Sequence, residues 1–197
     1  GRVDRWWLGE GYRLERNIAG PVITNARFAE RQGWEGSGRA GVRWTSNALS
    51  LRAAAYRGWR LPTLNELYRP FRTGADATAA NPALRPEMMK GVELGMDWRP
   101  AEGVKLAATL FTARLDNAIA NVTIARGPGA FPGVGFVSAA GVYRQRQNLD
   151  RIDSRGVELD ASARLGAFSL AASYAYADAH VRASGAAAPL DGLRPAQ

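Results

Sequence analysis

The sequence contains no cysteine, only one histidine and only two lysines among its 26 basic residues. The lack of cysteine excludes disulfide scaffolds, thiol nucleophiles and Cys-ligated zinc or iron–sulfur sites. No stretch approaches the roughly 18 consecutive apolar residues of a transmembrane helix. With 197 residues, the chain has the length of one domain or of a part of a larger one. Its hydrophobic content of 46% is too high for a chain that is disordered throughout. The sequence therefore predicts either a soluble protein or one that meets a membrane through β-strands.

The net charge of +8 comes almost entirely from arginine, because Lys90 and Lys105 are the only lysines. Alanine is the commonest residue, and a joint excess of arginine and alanine is what a GC-rich coding sequence produces. The arginines are also spread along the chain, within a few residues of carboxylates, instead of clustering as they do in nucleic-acid-binding proteins. We therefore expect no nucleic-acid partner.

Alternation of apolar and polar residues with a period of two is the main pattern in the chain. Each of the ranges 38–57, 92–110 and 157–177 contains two such runs separated by a short turn, which is typical of β-hairpins. The sequence predicts an all-β fold, an antiparallel meander of about seven long strands. The apolar rows of this meander include Leu49, Leu51, Leu94, Leu106, Leu159 and Leu170.

The connections between these hairpins differ greatly from the turns within them. The connections 58–87 and 116–153 exceed the usual length in a compact domain. Short turns at one end and long loops at the other are typical of an outer-membrane β-barrel. The runs are about 10 to 12 residues long, against about 5 to 6 for a soluble strand. About 10 residues tilted by about 40° cover the roughly 25 Å apolar band of such barrels.

The faces opposite the apolar rows carry charged residues. Unpaired charges are too costly to bury in a dry protein core, but they are tolerated in the water-filled or plugged lumen of a barrel. The charged residues are Arg52, Glu93, Asp97, Lys105, Glu158, Asp160 and Arg164. Aromatic residues fall near strand ends, as in interfacial girdles, with Trp44 and Trp98 beside short turns and Tyr174 and Tyr176 near a long loop. An alternative stays open, a soluble all-β carbohydrate- or protein-binding module, which would bury the leucine rows between two sheets.

Five segments resemble motifs of the β-barrel domain of TonB-dependent outer-membrane receptors. Residues 60–68 (RLPTLNELY), 80–87 (ANPALRPE) and 91–95 (GVELG) match the family's "RxPTxxELY", "NPxLxPE" and "ExG" patterns in the same order. Residues 154–160 (SRGVELD) and 170–179 (LAASYAYADA) resemble two later strands. The resemblance covers about residues 38 to 197, and residues 1–37 fit an earlier strand and loop.

The resemblance implies a 22-stranded transmembrane β-barrel with short periplasmic turns, long extracellular loops and an N-terminal plug that contacts TonB. Residues 1–197 are then expected to be part of the barrel domain, with the plug and the C-terminal strands absent.

A parent receptor of this kind is not an enzyme. It would lie in the bacterial outer membrane, in contact with lipid and lipopolysaccharide. There it would import a ferric siderophore, another iron chelate or cobalamin with TonB-coupled energy, and no bound cofactor is expected. The fragment alone is expected not to transport, and to self-associate through its apolar face.

The candidate ligand-binding residues lie in the two long connections. They are Tyr143, Arg144, Arg146, Arg69, Phe71 and Arg72. Guanidinium groups bind carboxylate-bearing chelates bidentately, and aromatic rings supply flat contact area. In the alternative interpretation, the same side chains pin the loops onto one another and face lipopolysaccharide phosphates.

Enzymatic and metal chemistry finds little support in the sequence. A hydrolase of the outer-membrane barrel type would need His180 beside a serine and a carboxylate, and no Gly-x-Ser-x-Gly motif accompanies this histidine. Asp116, Asp150 and Asp153 are too few for the shell of about six to eight oxygens around calcium. The Gly- and Pro-rich segment 127–135 is predicted to be a mobile loop tip. We therefore predict no catalytic residue and no metal site.

Overall fold

A computed structural model describes residues 1–16 and 22–195. In these ranges the chain forms fifteen strands, one short α-helix, α1 (Leu64–Tyr68), and a 3₁₀-helix (Gly185–Leu190). The strands are β1 (Arg2–Leu8), β2 (Gly11–Arg16), β3 (Val22–Phe28), β4 (Arg31–Thr45), β5 (Leu49–Arg60), β6 (Phe71–Thr73), β7 (Asp76–Ala79), β8 (Glu87–Trp98), β9 (Val104–Asp116), β10 (Ile119–Arg126), β11 (Gly129–Phe131), β12 (Gly135–Val137), β13 (Val142–Asn148), β14 (Arg151–Leu165) and β15 (Phe168–Arg182). Neither helix in these ranges has the length and apolar character needed to cross a bilayer.

Seven long strands form one sheet in the order β1-β4-β5-β8-β9-β14-β15, with every neighbour antiparallel. The order follows the chain, so the predicted seven-stranded meander is confirmed. Short turns join β4 to β5, β8 to β9 and β14 to β15 at one end of the sheet. Gly103 and Gly166 have φ angles of 76° and 61° in two of these turns, a conformation that glycine adopts without strain. The long connections leave from the opposite end.

The leucines of the apolar rows all lie on one face of this sheet. The strand pairing places each of them opposite another apolar residue, as Leu94 lies opposite Leu110 and Leu159 opposite Tyr174. Leu51, Leu94, Leu159 and Leu170 keep between 43% and 61% of their surface exposed. The alternative of a soluble sandwich is therefore wrong, because it requires these side chains to be buried between two sheets.

The opposite face of the sheet is polar and paired. Arg52 donates to Asp97 at 2.9 Å and to Thr109 at 2.6 Å, so one guanidinium links β5, β8 and β9. Arg39 lies 3.6 Å from Glu93. Since no second sheet from the described part of the chain packs on this face, its charges are compatible with the interior of a barrel.

Glycines on the main sheet lie beneath large side chains of the directly opposite residue on the next strand. The four pairs are Trp6 with Gly33, Tyr56 with Gly91, Arg52 with Gly95 and Phe111 with Gly156. A Cβ at Gly156 would lie 2.4 Å from the Phe111 ring and 2.3 Å from the carbonyl oxygen of Tyr176. These glycines thus leave space for the neighbouring side chain to lie flat on the sheet.

The long connections form a second layer of structure at one end of the sheet. Four short strands pair in the order β10-β13-β7-β6, with β13 parallel to β7. The segment predicted to be a mobile loop tip forms the hairpin β11–β12, and β2–β3 is a further hairpin. We call all of this structure, together with α1 and the 3₁₀-helix, the loop layer. On the main sheet, β15 continues beyond Tyr176 to Arg182, so Tyr174 and Tyr176 lie farther from the loops than predicted.

The buried apolar side chains of the described residues lie in the loop layer and at the adjoining strand ends. Leu67, Leu84, Val122 and Val137 are the largest of those that are fully buried. One cluster consists of Ala118, Val122, Leu149, Val181, Ala183 and Ala187. The loop layer therefore has a hydrophobic core of its own, whereas the long sheet exposes its apolar face.

We expect Gly156→Ala to destabilise the protein by about 1–3 kcal/mol, the usual cost of overpacking. The new methyl group must displace Phe111 and the backbone of β15. Gly58→Ala is the matched control, since a Cβ at Gly58 meets no atom within 4 Å. Urea unfolding of both variants in detergent micelles measures the difference, and equal stability of the two would contradict the role assigned to Phe111.

Candidate ligand-binding loops

Arg60, the last residue of β5, connects the sheet to the loop layer. Its Nε donates to Glu87 at 2.6 Å and its Nη1 to Glu66 at 3.0 Å. Thr63 and Glu66 form a reciprocal capping box at the start of α1, in which each side chain accepts a hydrogen bond from the backbone N–H of the other residue. Burial opposes ionisation of Glu66, but hydrogen bonds from Arg60 and Thr63 outweigh it and lower the pKa of this carboxyl. Arg60 thus holds α1 in place at the end of the strand.

The segment from Asn81 to Glu87 joins three parts of the chain. Arg31 of β4 donates to the carbonyl oxygens of Pro82 at 2.5 Å and Leu84 at 2.8 Å. The Asn81 side chain donates to the Arg146 carbonyl at 2.9 Å. Glu87 accepts from the backbone N–H of residue 119 at 2.7 Å. The NPxLxPE motif therefore ties the first long connection to the second and to β4.

Arg146, on the second long connection, stabilises the first long connection through hydrogen bonds. Its Nη1 donates to the carbonyl oxygens of Asn65 and Arg69, the latter at 3.1 Å. Its guanidinium lies over the ring of Phe71, 5.0 Å from the centroid, in cation–π geometry. Burial lowers the pKa of Arg146. Two of the predicted ligand-binding residues, Arg146 and Phe71, thus contact each other.

Tyr143 and Arg144 are also held within the loop layer. Tyr143 is only 6% exposed and stacks on Phe131 with centroids 4.6 Å apart, and burial raises the pKa of its hydroxyl. Arg144 pairs with Asp76 at 2.8 Å. The Asp76 carboxylate also accepts from the backbone N–H of Val142 at 3.0 Å, and these two bonds lower its pKa, the backbone bond contributing most.

A cleft of about 570 Å³ opens between the β2–β3 hairpin, the first long connection and the β11–β12 hairpin. It is lined by Arg13, Glu15, Pro70, Phe71, Arg72, Gly133, Val134 and Gly135. Arg72 bonds the carbonyl oxygens of Val134 at 2.6 Å and Phe136 at 2.7 Å through Nη2. These two bonds use two of the five guanidinium N–H groups. The cleft therefore combines an aromatic ring with two arginines and one carboxylate.

The structure brings the predicted residues Phe71 and Arg72 together at this cleft, with Arg69 exposed beside Pro70. The cleft residues Arg13 and Glu15, which pair with each other, were missed. The sequence offers little to identify them, since Arg13 and Glu15 are alternate residues of a short strand and match no known motif. Direct ligand contact by the six predicted residues stays a prediction.

His180 and the three aspartates have structural partners. The Nε2 of His180 lies 2.9 Å from Asp178, and its Nδ1 lies 3.0 Å from the carbonyl oxygen of Gly192. Asp116, Asp150 and Asp153 contact Lys90, Ser184 and Arg114, respectively. Among residues 1–16 and 22–195, no group of three or more histidine or acidic side chains could hold a metal ion.

The family described as "TonB dependent receptor-like, beta-barrel" matches residues 2–197. The chain belongs to this family. Membership confirms the resemblance predicted from the motifs at 60–68, 80–87 and 91–95, and it places the chain among transport receptors and not among enzymes. No curated protein matches the chain in sequence.

Solved receptor structures share the fold of this barrel segment. The siderophore receptor PirA from Pseudomonas aeruginosa is 17% identical with a TM-score of 0.60, covering 86% of this chain and 30% of its own. The hemophore receptor HasR of Serratia marcescens, solved with its hemophore HasA and heme, is 20% identical with a TM-score of 0.61. The match covers 90% of this chain and 30% of HasR. The FrpB iron transporter from Neisseria meningitidis (F5-1 variant) is 16% identical with a TM-score of 0.57. The match covers 96% of this chain and 25% of FrpB. The chain thus spans less than a third of these structures.

We expect acid to loosen the contact between β7 and β13 through protonation of Asp76. Because its pKa is lower in the folded than in the unfolded chain, its stabilising contribution is complete above about pH 4. The contribution is lost as the pH falls through the lowered value. The protection factors for amide hydrogen exchange of residues 77–79, taken relative to the intrinsic exchange rate at each pH, should therefore fall at low pH. Asp76→Asn is the control that should remove this acid dependence, and an unchanged acid dependence in that variant would assign the effect to another group.

Proposed function

We propose that this barrel segment belongs to an outer-membrane receptor that imports a scarce large ligand with TonB-coupled energy. The ligand class is a ferric siderophore, another iron chelate or cobalamin. TonB would act through a plug domain outside residues 1–197, so the segment alone does not transport. The neighbouring structures support iron-chelate import, since they include a siderophore receptor, a hemophore receptor with bound heme and an iron transporter.

The observation that carries this proposal is the cleft in the loop layer, at the end of the sheet opposite the short turns. In this family the long loops are extracellular, so the cleft would open toward the medium. Its volume of about 570 Å³ falls within the usual range for small-molecule sites, about 300–1,000 Å³. A bulky chelate could therefore enter it from outside the cell.

The chemistry of the cleft favours an anionic, partly aromatic ligand. Arg13 and Arg72 outnumber the one carboxylate of Glu15 in the lining, and Phe71 supplies a flat apolar surface. We assign direct ligand contact to Arg69, Phe71 and Arg72, as expected from the sequence. Tyr143, Arg144 and Arg146 then act as supports, since their contacts are with other loops.

A growth experiment on defined nutrients tests the function. A strain that lacks its own uptake receptors is given the full-length receptor and one source at a time, a ferric siderophore, ferric citrate, heme or cobalamin. Restored growth on one source, with loss of that growth when TonB is deleted, supports the proposal. Growth on none of them, or growth that does not need TonB, contradicts it.

A pair of arginine variants separates ligand contact from loop support. We expect Arg69→Ala to raise the ligand Kd about tenfold or more, the effect of losing a hydrogen bond to a charged group, about 1.5–3 kcal/mol. The loops should keep their protection from protease in this variant. Arg146→Ala should raise Kd and also expose residues 61–79 to protease, because two backbone carbonyls lose their donor.

Equilibrium binding and limited proteolysis of the full-length receptor measure both effects. If Arg69→Ala leaves Kd unchanged, the side chain of Arg69 does not contact the ligand. If Arg146→Ala raises Kd with no change in proteolysis, its role is direct contact and not support.

A further inference from the structure

The cleft proposed as the ligand site offers fewer free positive charges than its lining suggests. Arg13 pairs through Nη2 with Glu15, and only 16% of its side chain is exposed. Arg72 donates through Nη2 to the carbonyl oxygens of Val134 and Phe136. Both arginines therefore have partners within the chain, and the cleft differs from a simple anion site.

The carboxylate of Glu15 is a hydrogen-bond acceptor that the cleft offers to a ligand. The Glu15 side chain is 50% exposed, and its contact with Arg13 uses one oxygen, Oε2. Among residues 1–16 and 22–195, Arg13 is the one donor that bonds this carboxylate. An ionised carboxylate has about four acceptor positions, so Oε1 can accept hydrogen bonds from a bound molecule.

The acceptor and the donors belong to different walls of the cleft. Glu15 lies on β2, whereas Arg72 lies on β6 and is bonded to the β11–β12 hairpin. Arg72 keeps three of its five guanidinium N–H groups for an external acceptor. Phe71 is the neighbouring residue on β6 and is 38% exposed, so it supplies an apolar surface. The cleft is thus bipolar, with an acceptor on one wall and donors on another.

We propose that Glu15 makes the cleft selective for an iron chelate that carries a free ammonium group in addition to its carboxylates. The inference rests on the proposed function and narrows its ligand class. The ammonium group donates to Glu15, and a ligand carboxylate accepts from Arg72. Such charge-assisted hydrogen bonds are about twice as strong as those between neutral groups. A chelate without the ammonium group places only negative charge against Glu15, and like charges in contact are unfavourable.

This charge pattern separates the ligands considered for the receptor. A siderophore that contains an unmodified lysine or ornithine side chain has both groups, whereas citrate and heme carry carboxylates but no ammonium group. If Glu15 served only as the partner of Arg13, the receptor would make no such distinction, since that ion pair lies within β2.

Two probes that differ only in the ammonium group test the proposal. They are the ferric complex of bis(carboxymethyl)lysine, whose side-chain amine is free, and the same complex with that amine acetylated. Titration calorimetry of the full-length receptor in detergent measures the Kd of each. We expect the amine-bearing probe to bind about tenfold more tightly, the effect of one hydrogen bond between charged groups. Equal Kd values, tighter binding of the acetylated probe, or no binding of either probe would overturn the proposal.

The variant Glu15→Gln shows whether Glu15 causes the preference. Its amide oxygen can still accept from Arg13 but carries no charge, so the preference should disappear because the amine-bearing probe binds more weakly. Glu10→Gln is the matched control, since Glu10 is an exposed carboxylate that does not line the cleft, and it should retain the tenfold preference. A preference that survives Glu15→Gln, or that is lost equally in both variants, contradicts the role of Glu15.

Resistance to protease verifies that each variant is folded. If Glu15→Gln does not fold, Glu15→Asp replaces it. The shorter side chain keeps the charge but holds it farther from the ligand, so this variant should reduce the preference, and an undiminished preference would contradict the proposal.

Growth on the iron and cobalamin sources is a separate readout. A receptor that prefers the amine-bearing probe through Glu15 but supports no TonB-dependent growth contradicts the import function alone. A receptor that supports TonB-dependent growth but binds both probes equally contradicts the selectivity assigned to Glu15 alone.

Discussion

The organisation of this chain follows from one constraint, that its main sheet is a single layer with an apolar face that nothing else in residues 1–16 and 22–195 covers. Leu94 and Leu170 remain more than half exposed, and leaving many such side chains in water is unfavourable. In a bilayer the same face is stable, provided that every backbone N–H and C=O on it is paired within the sheet. The antiparallel register from β4 to β15 satisfies that condition for the inner strands, and the unpaired edges of β1 and β15 are where further strands of the barrel would join.

The same constraint explains why polar chemistry is confined to the other face and to the loop end. Arg52 bridges Asp97 and Thr109 on the polar face, and its guanidinium lies over Gly95. Phe111 covers Gly156 in the same way. Glycine is thus required at these motif positions because side chains of the neighbouring strand lie flat over them. This arrangement recovers packing contacts for a sheet against which the described residues place no other sheet face to face.

The sequence was sufficient to predict the main sheet because its signal is local. Alternation with a period of two, short turns and long connections established the strand number, the strand order and the face that carries Leu51 and Leu159. The structure of the connections could not be predicted in this way. β7 has four residues, and its parallel partner in β13 lies more than sixty residues away, as in the pairing of Ala77 with Tyr143. Short strands of that kind acquire their register from tertiary contacts and not from their own pattern.

The prediction of the site was limited by the same difference between local and distant information. The sequence singled out arginine and aromatic residues of the two long connections, but Arg146 could be distinguished from Arg69 only by the position of its acceptors, the carbonyl oxygens of Asn65 and Arg69. The loop layer has its own core around Val122 and Leu149 and is joined to the sheet by specific bonds such as those of Arg60 and Arg31. Residues that line the cleft, such as Arg72, lie outside that core. Substitution at the cleft would therefore leave the sheet, the core and the bonds that connect them unchanged in structure.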